Sequence, residues 1–196
     1  MIDLSLIRIF LLVWGVVALT IRLVYTRRAN TRKAEPGVPQ TVPHPLAVLS
    51  MATWFGLFGA ILVAPVFVQT QLFDLPGQDF ARIIGMAGLT LGLLLLLKSH
   101  QALGEFYGVK LYIKQAHHVI DTGPYAQVRH PMYTTYFVWF ASMVLIIPHA
   151  IPILVFFGGL YGFCRMAAGE EQMLRSALGR PYDQYVDQTG KFIPKL

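Results

Sequence analysis

Apolar positions along this chain neither alternate nor return every third or fourth residue; they form solid runs separated by short polar blocks. The first run, Leu4 to Val24, carries charge only at Arg8 and Arg22, near its ends, from where long cationic side chains reach a membrane interface. A hydrocarbon core of about 30 Å takes roughly 20 apolar residues as helix, so this run predicts a membrane span. A second run, Leu46 to Val68, predicts another, kinked at Pro65. Phe80 to Leu97 predicts a third. Two shorter arms follow, Met132 to Ile147 and Ile151 to Met166, joined by "PHAIP". Each is at the short limit for a span, and together they predict a helical hairpin.

The polar blocks orient these elements. Arg27, Arg28, Arg32 and Lys33 lie in a proline-rich loop at 26–45, and the positive-inside rule assigns such a loop to the cytoplasm. The connection "QTQLFDLPGQD" carries Asp74 and Asp79 without Lys or Arg, which suits the opposite side. The expected fold is an all-α integral membrane protein of about five transmembrane helices with its N-terminus outside. Residues 1–97 hold three spans. Residues 98–196 hold a loop at 98–131, the hairpin at 132–166 and an amphipathic tail at 167–196, with loop and tail both on the cytoplasmic face. That loop is longer than a plain connection, and loops of such length are usually functional or disordered; its aromatic and histidine content argues for the former.

Composition agrees with the pattern. Of 196 residues 55% are hydrophobic and only 13% charged, and the mean hydropathy is +0.54; a soluble domain of this size needs a far more charged surface. The net charge of +6 in a soluble protein would raise nucleic acid as a partner. Here the positives sit between apolar runs, as membrane topology requires, and nucleic acid is set aside. The first run is too long for a signal-peptide core and no small-x-small site precedes Arg27, so it reads as a retained span. The end "KFIPKL" carries no lipidation signal. Cys164 is the sole cysteine, which excludes an internal disulfide and a CxxC motif.

Candidate chemistry concentrates in two blocks flanking the hairpin, "HHVIDTGPYAQVRHPMY" and "CRMAAGEEQMLRSALGRPYDQYVDQTGKFIP". Ionisable groups at a membrane boundary are costly to desolvate and mark functional sites. Arg129 offers a planar fork for a carboxylate or phosphate, and His130 a donor or acceptor near neutral pH. Pro131 suits the first turn of a helix, whose positive end favours an anion. Tyr125 and Tyr133 present ring faces to a cation. The block therefore suits a ligand with both a carboxylate and a positive centre. The bland alternative is a juxtamembrane belt of Arg, His and Tyr against lipid headgroups. Glu170 and Glu171, at the end of a hydrophobic arm, are accommodated as the acidic start of a surface helix, but a pair returning opposite Arg129 and His130 fits a ligand clamp better. No metal is expected: His117, His118, His130 and Glu170 lack HExxH or paired helical spacing. No GxSxG, P-loop or GxGxxG occurs. "GLFGA" and "GGLYG" lie inside spans, where small residues mean close helix packing.

The order HHVI…GPY…RHPMY, an apolar hairpin, then EEQML…GRPYDQY…P resembles the isoprenylcysteine carboxyl methyltransferases, which belong with the phospholipid methyltransferases among integral membrane methyltransferases. The resemblance covers residues 98–196; the N-terminal half agrees only in being spans. It implies S-adenosylmethionine as cofactor in a cytoplasmic pocket formed by loop, hairpin and tail. By position, His117, His118, Val119 and Ile120 match the family's cofactor-contacting tetrapeptide, and Tyr125 the tyrosine after it. His130, Pro131, Met132 and Tyr133 match its RHPxY contacts, Glu170 its cofactor-binding acid, and Lys110 falls loosely at a further contact. Arg165 and Arg129 are the candidate catalytic residues. Two departures stand out: Thr135 replaces a frequent glycine, and Arg165 precedes Glu170 by five residues where the family's substrate-orienting arginine precedes by four. The implied acceptor is lipophilic and enters from the membrane, among whose lipids the chain sits; a prenylcysteine carboxylate, a phospholipid amine and a thiol all remain open. The compact size suits a prokaryotic inner membrane more than an endoplasmic reticulum. The rival readings are an NADPH-dependent membrane reductase of the steroid 5-reductase type and a non-catalytic membrane scaffold.

Overall fold

The computed structural model describes residues 2–31, 77–104 and 119–195, with Gly56, Gly59 and Tyr107 besides. The second expected span at 46–68, and Lys110, His117 and His118, lie outside the described residues. Among the described residues there are five α-helices and no strand: α1 (Leu4–Thr31), α2 (Gln78–Leu103), α3 (Pro131–Ile146), α4 (Ala150–Leu178) and α5 (Arg180–Gln188), with a 3-10 turn at Gly123–Ala126 before α3.

The three long helices α1, α2 and α4 are long and apolar enough to cross a membrane, yet only 28% of the most apolar stretch of each is buried inside the protein. The remaining apolar surface has to meet lipid, because water would exact a large hydrophobic penalty along every helix. On α1 the division is by face. Ile7, Leu11, Trp14 and Ala18, spaced four, three and four apart, are buried, while Leu6, Ile9, Val13 and Val16 point outward. The Asp3 carboxylate accepts from Ser5 N at 2.8 Å and caps the start of α1.

The shorter α3 is the most enclosed helix and holds the core together. Trp139 and Trp14 meet edge to face at 4.8 Å, and both indoles donate to Leu89 O of α2, at 3.2 and 3.0 Å. A buried indole N–H needs such a partner, and Gly92 makes room for it. A Cβ on Gly92 would stand 2.2 Å from Trp139 Nε1, so α2 and α3 approach as closely as small residues allow in membrane helices.

Three boundaries differ from expectation. The first helix continues past Val24 to Thr31. The third span continues past Leu97 to Leu103, carrying Ser99 and His100 into the interior, both 0% exposed. Most consequential, the second hairpin arm does not stop at Met166. It runs on through a stretch dominated by the strong helix formers Ala, Glu, Gln, Met, Leu and Arg, despite Gly169 and Ser176, to end at Gly179 with φ 61°, a left-handed conformation that favours glycine. Glu170 and Glu171 therefore lie in the body of a 29-residue helix rather than in the first turn of a new one. The sharp stop turns the chain into α5, with Pro181 in its first turn.

Candidate functional site: a glutamate pair around His130

Four segments meet at one end of the bundle: the 3-10 turn and the residues after it, the first turn of α3, the C-terminal half of α4, and α5 with the chain beyond it. The last of these is a short strap laid against the segment before α3. Gly190 N donates to Gln127 O at 3.1 Å, Arg129 N to Gly190 O at 2.9 Å, and His130 N to Lys191 O at 3.1 Å. Thr134 Oγ1 adds a bond to Phe192 O at 2.6 Å. Gly190 permits this path, since a Cβ there would fall 1.7 Å from Ile193 O.

Backbone and prolyl constraint place His130 immediately before α3, which Pro131 opens as expected. Its two ring nitrogens face two carboxylates. Nδ1 lies 3.3 Å from Glu170 Oε2 and Nε2 3.2 Å from Glu171 Oε1. A carboxylate oxygen accepts, so this geometry favours the form in which both nitrogens donate, the imidazolium. Burial disfavours that charge, but the hydrogen bonds and negative charge of Glu170 and Glu171 outweigh it and hold the His130 pKa above the ordinary histidine value. The Tyr133 ring stacks on His130 at 5.4 Å, and its hydroxyl donates to Glu170 Oε1.

The two acids have different company. Glu171 accepts from Arg129 Nε at 3.0 Å, from His130, and from Lys191 Nζ at 3.2 Å. Arg129 also donates from Nη1 to Val186 O at 3.2 Å and to Thr189 O. Its fork thus ties α4, α5 and the strap together. Glu170 has lighter engagement, with the Tyr133 hydroxyl on one oxygen and His130 on the other. With His130 protonated, three cationic groups, Arg129, His130 and Lys191, face two carboxylates, which gives the cluster excess positive charge.

A pH dependence follows with a definite sign. A folded-state pKa raised above the unfolded value of about 6.5 gives stability that is full below that value and lost as pH rises through the folded pKa. Histidine NMR titration should place the His130 midpoint above that of an ordinary histidine, and the melting temperature should fall across the same pH interval. A His130→Gln variant should melt without that step; an unchanged step would assign it to another group.

The remaining expected residues divide. Tyr125 is buried in the 3-10 turn, its carbonyl accepting from Tyr185 Oη at 2.8 Å. Burial pushes the Tyr125 phenol well above its usual range, and the charge of Glu170 adds to this. Pro131 is buried and Met132 half-buried beside the core. Val119 and Ile120 are half-buried ahead of the turn. Val119 borders a cavity of about 490 Å³ whose other walls include Asp121, Leu178, Gln184, Tyr185 and Gln188, a volume in the range of small-molecule sites. Arg165 is exposed on α4, and its five-residue offset turns it about 140° away from Glu170 at roughly 100° per residue. Thr135, at the position where glycine is frequent in the resembling family, is fully buried and donates to Pro131 O at 3.1 Å.

Sequence reasoning missed Lys191, Thr189 and Phe192 as site components. "TGKFIP" offered one signal, a cation after a terminal aromatic pair, but nothing in spacing says that the strap returns to His130. Among the described residues no group of three His, Cys, Asp or Glu is arranged to hold a metal ion.

An all-helical protein with apolar outer faces and a buried ion network at one end of its bundle is an integral membrane protein with a polar site. Residues 83–176 match the model of the isoprenylcysteine carboxyl methyltransferase (ICMT) family, a stretch that contains His130, Tyr133 and both glutamates. The chain is similar to that family over this stretch, just under half of its length. Its fold is shared with the solved structure of the eukaryotic intramembrane Ras methyltransferase ICMT (isoprenylcysteine carboxyl methyltransferase), determined without a monobody, at a TM-score of 0.55 and 22% identity. The match covers 78% of this chain and 54% of that one, so this chain spans about half the length of its structural relative. No curated protein matches the sequence.

Proposed function

We propose that this protein is an S-adenosylmethionine-dependent membrane methyltransferase that acts on a lipophilic acceptor, the carboxylate of an isoprenylcysteine-type lipid. The observation that carries the reading is the pair Glu170 and Glu171 closing on the two nitrogens of His130, inside the stretch that matches a methyltransferase family. The donor set fits the cofactor. The excess positive charge of Arg129, His130 and Lys191 suits its carboxylate, and the lightly engaged Glu170 suits its ammonium or sulfonium. Tyr133 adds a ring face for a cation. The Val119 cavity is of a size to take the nucleoside end, in keeping with the roles expected of His117, His118, Val119 and Ile120. Residues 98–196 form the catalytic core in this reading, with the site on the cytoplasmic face, and a prokaryotic inner membrane is the compartment that suits the compact chain.

S-adenosylmethionine, when bound by these residues, would supply an electrophilic methyl group for the acceptor's carboxylate oxygen, with S-adenosylhomocysteine as the leaving group. The protein's share is placement. A carboxylate acceptor is already ionised near pH 7, so no residue has to remove a proton. His130 and Tyr133 hold Glu170 in one orientation, and Arg129 fixes the strap over the site, which excludes water from a reaction between opposite charges. Arg129 acts here as a positioning residue, while Arg165 lies on a face turned away from Glu170.

The deciding experiment is calorimetric titration of S-adenosylhomocysteine into detergent-purified protein, with NADPH in parallel. Binding of S-adenosylhomocysteine alone is the expected result. Binding of NADPH alone would replace this reading with a reductase, and binding of neither would remove the catalytic assignment.

A further inference from the structure

The outward faces of the three long helices end alike. On α4, Leu154, Phe157 and Tyr161 are 70%, 61% and 66% exposed, and Arg165, four residues beyond Tyr161, is exposed too. At roughly 100° per residue these four lie within about 80° of one another around the helix. On α2 the exposed Leu91 and Leu94 lead to the exposed Lys98 at the same angular position. On α1 the exposed Val16 and Leu23 lead in the same way to the exposed Arg27. Each apolar face that meets lipid thus terminates in a cation.

Contacts between the helices place the three cations at one depth. Tyr25 of α1 stacks on His100 of α2 at 4.3 Å between ring centres. Arg27 lies two residues beyond Tyr25, and Lys98 two before His100. Arg22 of α1 reaches Tyr136 Oη of α3 at 3.5 Å, and the rings of Tyr133 and Tyr136 pack 5.0 and 4.9 Å from Phe163 of α4. Arg165 lies two residues beyond Phe163. With a rise of about 1.5 Å per residue, each cation stands about 3 Å along its helix from the ring contact that anchors it. All three therefore fall within one headgroup layer, which is roughly 5–8 Å deep on each side of the hydrocarbon, at the end of the bundle that holds His130.

The protein itself supplies these cations with no counter-charge. Arg27, Lys98 and Arg165 have neither a hydrogen-bond nor an ion-pair partner among the described residues. The nearest acids along α4, Glu170 and Glu171, close on His130. Arg175 differs: about 15 Å further along α4, it pairs with Asp183 at 3.6 Å. An unpaired guanidinium at the rim of a lipid-facing surface lays its stem on apolar neighbours and sends its head to the headgroups, where the available anion is phosphate. A planar fork matches phosphate well. A zwitterionic headgroup brings its own ammonium, whereas an anionic one neutralises the cation outright.

We propose that Arg27, Lys98 and Arg165 form a docking surface for anionic phospholipids, whose acyl chains lie along the apolar faces leading to each cation. Arg165 is its strongest contact, having both the fork and an aromatic neighbour, Tyr161, on the same face. The surface is separate from the methyltransferase site, since Arg165 is turned away from Glu170.

The test incubates the full chain in detergent with equal amounts of phosphatidylglycerol and phosphatidylcholine of the same acyl chains, and counts the retained lipids by native mass spectrometry. The wild type should retain phosphatidylglycerol in preference. Arg165→Gln should reduce that preference about fivefold, the usual worth of one basic residue at an anionic surface, and Arg165→Lys should keep most of it. A variant carrying Arg27→Gln, Lys98→Gln and Arg165→Gln together should show no preference, with phosphatidylcholine retention within about twofold of wild type. Arg175→Gln, which removes a paired charge outside the layer, should behave as wild type. A wild type without preference, or a triple variant that keeps it, would overturn the assignment. Equal losses in Arg175→Gln and Arg165→Gln would do so as well, by reducing the effect to net charge. Inorganic phosphate at millimolar concentration should leave the retained lipid in place; displacement would show a general phosphate site rather than a lipid surface. Should the triple variant fail to fold, the single variants decide, and wild-type preference in all three overturns the proposal.

Discussion

Replacing Glu170 by glutamine is expected to weaken S-adenosylhomocysteine binding roughly 10- to 100-fold, the worth of one charge-assisted contact, and to reduce methyl transfer at least as much. The fold should survive. Glu170 accepts only from the Tyr133 hydroxyl and from His130 Nδ1 in this cluster, and a glutamine carbonyl can still take one of these bonds. The negative charge is what disappears, and with it the group proposed to face the cofactor's positive end. Glu171 makes the control. It accepts from Arg129, His130 and Lys191, so Glu171→Gln should lower the melting temperature by several degrees before any effect on binding is read. Calorimetry and thermal unfolding on the two variants separate the acids. Equal loss of stability in both, with cofactor affinity following stability, would show that Glu170 is a structural partner of His130 and nothing more.

That asymmetry between neighbouring acids shows where sequence reading reached and where it stopped. The spans at α1 and α2 were legible because a bilayer demands solid apolar runs, and Pro131 announced the start of α3. The His130 and Glu170 pairing was legible too, through the order of motifs. Helix ends were not. Hydropathy falls at Met166, and a pattern read as a membrane span must stop there, whereas a helix stops where its backbone is broken, at Gly179. The same confusion of apolar run with helix shortened α2 by two turns and hid His100, a buried polar residue that periodicity assigns to a loop. Long-range chain return was the other blind spot. Gln127 and Gly190 are joined across more than sixty positions by backbone bonds, and backbone pairing leaves no trace in side-chain identity. From the sequence Arg22 reads as a snorkelling end residue, since nothing in α1 reveals that Tyr107 and Tyr136 meet it.

The second large effect concerns Arg129, expected from the sequence to be catalytic, whose bonds to Glu171, Val186 O and Thr189 O suit it to serve as a latch. Arg129→Met removes the bonds to Glu171, Val186 O and Thr189 O at once while filling much of the same volume. Glu171 then keeps a buried charge with two partners in place of three, and two carbonyls lose theirs. Breaking a buried charged network by removing one partner costs about 3–5 kcal/mol, and with each kcal/mol worth roughly 2–4 °C for a chain of this size, the melting temperature should fall by about 10 °C. Cofactor affinity should fall with it, because the strap that bears Lys191 and covers His130 is no longer anchored. Gly190→Ala should reproduce both losses without touching any charge, since its Cβ would stand 1.7 Å from Ile193 O and the strap would have to leave its path. Lysine at position 129 should recover part of the stability, keeping one contact to Glu171 but not the fork. A group that touches the reacting atoms gives a different signature: kcat would collapse in Arg129→Lys with the melting temperature and cofactor affinity near wild type, and that result would return Arg129 from latch to catalytic residue.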